Sequence, residues 1–182
     1  YTTPNVYTIG SAITGLAPSI TGNVINYSVS PALPNGLVLN TTTGVISGLP
    51  TTITDTEIYT VTPTNSGGST SFGISITVND IAPGTLLYNT PNVFTVNSAI
   101  VPLSPFVSGT IDSYSVSPSL PAGLSIDATT GVISGTPTAV TAMATYIVTA
   151  ENSGGEISFG VEITVNDVAP TALSYETPNV YT

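Results

Sequence analysis

The chain repeats itself every 87 residues without an insertion or a deletion. Residues 1–8 return as residues 88–95 and again as residues 175–182, and 49 of the 87 positions of residues 1–87 are identical in residues 88–174. A repeat of fixed length in which many individual residues vary is typical of proteins that stack one structural module many times. We therefore expect two complete domains, 1–87 and 88–174, and the first strand of a truncated third repeat at 175–182.

The charge composition narrows the possible functions. The 182 residues include ten Asp and Glu but no Lys, Arg, His or Cys. Binding to nucleic acid is excluded because phosphate neutralisation requires Lys and Arg. The commonest general bases, Schiff-base chemistry and His- or Cys-ligated metals are missing as well. We therefore predict that the chain is not an enzyme.

The apolar residues are distributed in short runs. They make up 41% of the sequence, but no stretch approaches the roughly 20 residues that span a bilayer. We therefore expect no membrane insertion. A strongly acidic surface favours solubility in salt, and this indicates an extracellular or cell-surface location.

Residue propensities predict an all-β module. Short segments rich in Val, Ile, Thr and Tyr alternate with clusters of Pro, Gly, Asn and Ser about every ten residues. The predicted strands of the first copy are 5–9, 24–30, 37–40, 45–47, 58–64 and 69–78, with a weaker one near 12–16. This pattern favours an Ig-like antiparallel β-sandwich of about seven strands in each copy.

The last strand of each copy shows the alternation of a half-buried strand. Phe72, Ile74, Ile76 and Val78 fall on one face, and small or polar residues fall on the other. We expect the four apolar side chains to point into the core.

In both copies a tyrosine lies at the start of the predicted strand that comes before the last one. Tyr59 and Tyr146 each open a Tyr-x-Val segment. We predict a tyrosine corner, in which the ring is buried and the hydroxyl binds a nearby backbone group.

Two long motifs resemble a known family. Residues 33–50 read LPNGLVLNTTTGVISGLP, residues 120–137 read LPAGLSIDATTGVISGTP, and both copies continue with Tyr-x-Val-Thr-x-x-Asn-Ser-Gly-Gly. They closely resemble the signature of the He_PIG (Putative Ig) repeats of bacterial and archaeal surface proteins. The resemblance implies tandem cadherin-like or Ig-like β-sandwiches of stalks, adhesins and enzyme accessory regions, with no catalytic residues to transfer.

The junction after each last strand is similar to the calcium-binding junction of cadherins. It reads Val-Asn-Asp-Ile-Ala-Pro in the first copy and Val-Asn-Asp-Val-Ala-Pro in the second. This similarity suggests calcium at Asp80 and Asp167, although calcium needs six to eight oxygen ligands and the companion acids of cadherins are absent. In the alternative interpretation the two Asp side chains cap a turn. No other cofactor is implied.

The segment between consecutive copies is interpreted as a linker of about a dozen residues, stiffened by Pro83 or Pro170. The strand that follows it could pair with its own module or with another chain, because Ig-like edges leave backbone groups free. For the third repeat this assembly strand comprises Asn179, Val180 and Tyr181.

These observations favour a non-enzymatic structural repeat protein, an extracellular rod, stalk or filament. Its partners would be neighbouring copies of the same repeat, in a long array or a homopolymer. Two alternatives remain: a cell-surface adhesin that binds a glycan or receptor through module loops, and accessory repeats of a larger secreted enzyme.

Overall fold

The computed structural model describes residues 1–174. They form two compact units. The first comprises Tyr1–Pro83 with Glu151–Glu156, and the second comprises Gly84–Ala150 and the described residues from Ile157 onward. The division between Pro83 and Gly84 lies four residues before the repeat boundary of the sequence.

The first unit contains seven strands and no helix among the described residues. The strands are β1 (Asn5–Thr8), β2 (Asn26–Ser30), β3 (Leu37–Leu39), β4 (Ile46–Gly48), β5 (Thr54–Asn65), β6 (Gly68–Ser69) and β7 (Phe72–Asn79). The main sheet has the order β1-β7-β5-β2, and β6 pairs with β5. The β3–β4 hairpin forms a second, smaller sheet, which an isolated bridge between Leu16 and Ile46 extends.

The core of the first unit lies on one face of the main sheet. On β7, Ile74, Ile76 and Val78 are all fully buried, as the period-2 alternation predicts. Phe72 departs from the prediction, because 47% of its surface is exposed. The completed core also contains Leu16, Tyr27, Leu37, Ile46, Tyr59 and Val61.

The second unit repeats this arrangement with eight strands. They are β8 (Thr85–Leu87), β9 (Asn92–Thr95), β10 (Phe106–Ser108), β11 (Ser113–Ser117), β12 (Leu124–Ile126), β13 (Ile133–Gly135), β14 (Thr141–Asn152) and β15 (Gly155–Asn166). The main sheet has the order β11-β14-β15-β9, and β12 pairs with β13. The additional pair, β8 with β10, has no counterpart in the first unit.

The all-β, Ig-like fold class is confirmed. Two features differ from the sequence-based expectation. The first strand of each sequence repeat pairs in parallel, β1 with β7 and β9 with β15, whereas an antiparallel sandwich was expected. The segment read as a linker contains strand β8, and only Leu16, at an isolated bridge, marks the weak strand predicted near residues 12–16.

Candidate assembly site

Each of the two aspartates that were predicted to bind calcium forms a hydrogen bond within its own turn. The Asp80 carboxylate accepts a hydrogen bond from the backbone N–H of Ile81 at 2.7 Å, and the Asp167 carboxylate accepts one from Val168 at the same distance. Asp80 also donates its backbone N–H to Ser153 Oγ within the first unit. These bonds fit the turn-capping interpretation.

Other acidic groups do not gather around either aspartate. Within residues 1–174, no group of three or more Asp or Glu side chains is close enough to hold a metal ion. The part of the chain that the structure describes also buries no polar or charged side chain completely. Calcium at Asp80 and Asp167 stays a prediction from the sequence.

The predicted assembly strand, Asn179, Val180 and Tyr181, lies outside the described residues. The structure describes the two corresponding strands, β1 and β9. In the first unit β1 runs parallel to β7, with Val6 opposite Thr77. The Thr3 hydroxyl accepts the backbone N–H of Ser75 at 2.9 Å, which anchors the start of this strand. In both described copies the strand is therefore part of its own module.

A tyrosine that the sequence analysis did not single out ties the start of each repeat to the module. The Tyr1 hydroxyl donates to the Gly44 carbonyl at 2.5 Å, and the Tyr88 hydroxyl donates to the Gly131 carbonyl at 2.6 Å. Burial raises the pKa of Tyr1 to about 12, and burial also raises the pKa of Tyr88. The recurrence of Tyr at positions 1, 88 and 175 is the sequence feature that could have identified this tyrosine as a structural residue.

Tyr59 differs from the predicted tyrosine corner. Its ring is buried, with 1% of its surface exposed, but its hydroxyl donates to the Glu57 carboxylate at 3.1 Å and not to the backbone. The pKa of Tyr59 is raised, first by burial and then by the hydrogen bond and negative charge of Glu57. The backbone anchor expected of this tyrosine is made by Tyr1 instead.

Strand β8 completes the second unit along a short edge. Leu86 lies opposite Val107 of β10, and the backbone N–H of Gly84 donates to the Ser108 carbonyl at 3.1 Å. Only 3% of the Leu86 side chain is exposed, and it packs in the same core as Tyr88 and Tyr114. The segment that was interpreted as a linker therefore contributes Leu86 to the core of the second unit.

The positions one period before β8 precede Tyr1 and lie outside the given sequence. Residues 19–21 stand 87 positions before β10, yet they form no strand. A groove of about 350 Å³ lies beside them. Its lining includes Tyr1, Ile20, Tyr27, Val61, Pro63 and Phe72. The counterparts of these six residues in the second unit belong to or pack against the core cluster that contains Leu86.

The difference between the two edges is visible in side-chain exposure. Val107 is half-buried against the core of the second unit, whereas its counterpart Ile20 is 41% exposed. Phe159 packs against that core with its ring centroid 6.4 Å from that of Tyr88, whereas its counterpart Phe72 is 47% exposed. The greater burial in the second unit accompanies the pairing of β8 with β10.

No helix in the described part of the chain is long and apolar enough to cross a membrane.

The sequence is similar to part of a bacterial surface protein. It is 30% identical over 156 residues to the "Serine-rich adhesin for platelets" of Staphylococcus aureus. The similarity covers 82% of this chain and 7% of the adhesin. The same protein of the MRSA252 strain matches equally, over 11% of its length.

Solved structures support the fold. The extracellular domains 3–5 of Drosophila OTK superpose with a TM-score of 0.55 and 15% identity, over 89% of this chain and 59% of that one. Murine CEACAM1b gives a TM-score of 0.55 and 13% identity, over 91% of this chain and 96% of that one. At these identities the likeness shows the Ig-like fold alone.

The family itself is established by the sequence. The family described as "Putative Ig domain" matches twice, at residues 2–79 and 75–166. Together the two matches cover residues 2–166, which is most of both units, and include the motifs at residues 33–50 and 120–137. The chain is therefore a tandem pair of Ig-like modules and belongs to the Putative Ig domain family.

Proposed function

We propose that this chain is a section of a non-enzymatic, extracellular structural array, a rod or stalk built from Ig-like modules in series. The observation that carries the proposal is the repeat of the fold with the repeat of the sequence. The strand pairings β1–β7 and β9–β15 fall on residues exactly one period apart, from Asn5 opposite Ile76 to Asn92 opposite Ile163.

The chemistry of the described residues supports a mechanical role. Each unit has its own apolar core, with fully buried side chains such as Ile76 and Ile163. The bonds that fix loops are local and structural, as in the Asp127 carboxylate, which accepts the backbone N–H groups of Thr129 and Thr130. Modules that each have their own packed core are suited to stacking in series.

Small-angle X-ray scattering on chains of two, three and four repeats tests the array. Further copies of residues 88–174 would be inserted in frame. A compact module of 87 residues has a diameter of about 30 Å, from the scaling of the radius of gyration. A rod predicts a constant rise in maximum dimension, about 30 Å or more per added repeat. Growth that falls off with each repeat would refute the rod.

Adhesion is a second candidate function, favoured by the similarity to the staphylococcal adhesin. A groove of about 770 Å³ in the second unit offers a surface for it. The groove includes Val101 and Phe106, which are 82% and 66% exposed. Binding to an array of immobilised glycans, abolished by Phe106→Ala and retained by Val140→Ala outside the groove, would support adhesion. An array with no signal would oppose it.

A further inference from the structure

Two exposed side chains in the groove of the second unit differ in kind from their counterparts in the first repeat. Val101 and Phe106 line this groove of about 770 Å³ and are 82% and 66% exposed. The residues one period earlier are Thr14 and Ser19. Because the first unit forms the corresponding sheets with these small polar residues, folding does not require an apolar side chain at either position. Exposed apolar groups that the fold does not require are candidates for ligand contact.

The backbone that carries these side chains is fixed in the same way in both units. The backbone N–H of Leu103 donates to the Ile133 carbonyl at 2.9 Å, and in the first unit Leu16 donates to the Ile46 carbonyl at the same distance. The buried Tyr88 also lines the groove of the second unit. The groove thus combines a rigid, repeated floor with exposed side chains that vary between the repeats, an arrangement typical of binding surfaces.

We propose that this groove binds an uncharged oligosaccharide, and that Phe106 and Val101 determine which sugars it accepts. The inference rests on adhesion as the function, and it names the class of ligand and the residues that select it. The volume of the groove lies within the range of about 300–1,000 Å³ that is usual for small-ligand sites. The exposed ring of Phe106 offers an apolar surface on which the apolar face of a sugar ring can stack.

The polar residues of the groove favour a sugar over an apolar peptide. Asn89, Ser98 and Ser104 line the groove and are exposed, so that their amide and hydroxyl groups can bond to the hydroxyl groups of a sugar. An apolar peptide would cover these groups without replacing their hydrogen bonds to water, which costs free energy. A sugar ring has both an apolar face and a rim of hydroxyl groups, and it therefore matches this mixed lining.

The charge of the chain disfavours acidic sugars. None of the 15 residues that line the groove is charged, and the whole sequence contains ten Asp and Glu but no Lys, Arg or His. A carboxylate or sulfate on the sugar would find no cationic side chain to pair with. The negative field of the chain would also repel it. We therefore expect the groove to prefer a neutral oligosaccharide over the sulfated form of the same molecule.

Three variants replace an exposed apolar residue of the second unit by the residue that the first repeat carries. Phe106→Ser and Val101→Thr change the groove. Met143→Thr is the matched control, because Met143 is 68% exposed, lies outside the groove and has Thr56 as its counterpart. Each new residue already occurs at the same position of a folded module, so we expect all three variants to fold.

The experiment applies the 182-residue chain in 0.15 M salt to an array of immobilised neutral, uronic-acid and sulfated oligosaccharides and apolar peptides. Titration calorimetry with the neutral oligosaccharide that gives the strongest signal then measures the affinity. Phe106→Ser should weaken binding about ten- to a hundredfold, the loss expected when the contact of one phenyl ring is removed. Val101→Thr should weaken binding about fourfold, the effect of one methyl-sized apolar group. Met143→Thr should leave the affinity unchanged.

The outcomes separate this inference from adhesion itself. Stronger binding of the sulfated or uronic-acid members would overturn the uncharged ligand and leave adhesion in place, and so would a preference for the apolar peptides. Sugar binding that neither Phe106→Ser nor Val101→Thr weakens would overturn the assignment to this groove. An array with no signal would count against both the inference and adhesion, and the scattering increment per repeat would still decide the rod independently.

Discussion

The two leucines one period apart provide a matched test of how the second unit is completed. Leu86 is 3% exposed and Leu173 is 84% exposed, although both occupy the same position of the repeat. Replacing leucine by alanine removes three carbon atoms, and each buried methylene contributes about 0.8 kcal/mol. Because measured core substitutions of this type cost about 2–5 kcal/mol, we expect Leu86→Ala to lower the free energy of unfolding by about 2–3 kcal/mol.

The lower part of that range applies because β8 is three residues long and can relax around the smaller side chain. For a module of this size, a loss of about 2–3 kcal/mol lowers the melting temperature by roughly 10–20 °C. Leu173→Ala should change the stability by less than about 0.5 kcal/mol, as exposed substitutions do.

The assay is scanning calorimetry together with amide hydrogen exchange. Calorimetry should show a lower-melting transition for Leu86→Ala and an unchanged profile for Leu173→Ala. Amide exchange should place the loss in the second unit, with faster exchange in β15 and no change in β7. Equal effects of the two substitutions would refute the assignment of β8 to the core of the second unit.

Further predictions concern single side chains. Gly44 and Gly10 have φ values of +75° and +73°. A Cβ on Gly44 would lie 2.7 Å from the Tyr27 ring, whereas a Cβ on Gly10 would meet no atom within 4 Å. In chemical denaturation, Gly44→Ala should therefore lower the free energy of unfolding by about 1–3 kcal/mol more than Gly10→Ala does. Backbone hydrogen bonds from Thr130 and Thr129 lower the pKa of Asp127 below 3.8, so its contribution to stability should be complete above the unfolded-state pKa and be lost as the pH falls through the folded-state pKa. An NMR titration of the Asp127 carboxyl at the usual midpoint would contradict this. Calcium at the junctions, predicted from sequence alone, requires that millimolar calcium raise the melting temperature, and unchanged melting would remove that hypothesis.

Local sequence patterns predicted much of the fold. The alternation of Ile74, Ile76 and Val78 identified the buried face of β7, because side chains along a strand point to opposite faces in turn. Asn40 and Asp127, which were not singled out from the sequence, hold the turns between β3 and β4 and between β12 and β13 through their side-chain oxygens. These features depend on residues that are close together in the sequence, and local patterns can therefore predict them.

The candidate site was harder to predict because it depends on pairing across the module. Thr-Leu-Leu at β8 is short and stands in a segment rich in Pro and Gly, so it resembled a linker. Its role depends on β10, which begins 19 residues after β8 ends, and neither strand shows an alternation long enough to detect. Phe72 was expected in the core on periodicity alone, but it is the first residue of β7 and 47% of its surface is exposed.

The measurement that tests the proposed array most directly is the maximum dimension of chains of two, three and four repeats in small-angle X-ray scattering. A rod predicts a constant increase of about 30 Å or more for each added repeat. An increase that becomes smaller with each added repeat would contradict the rod.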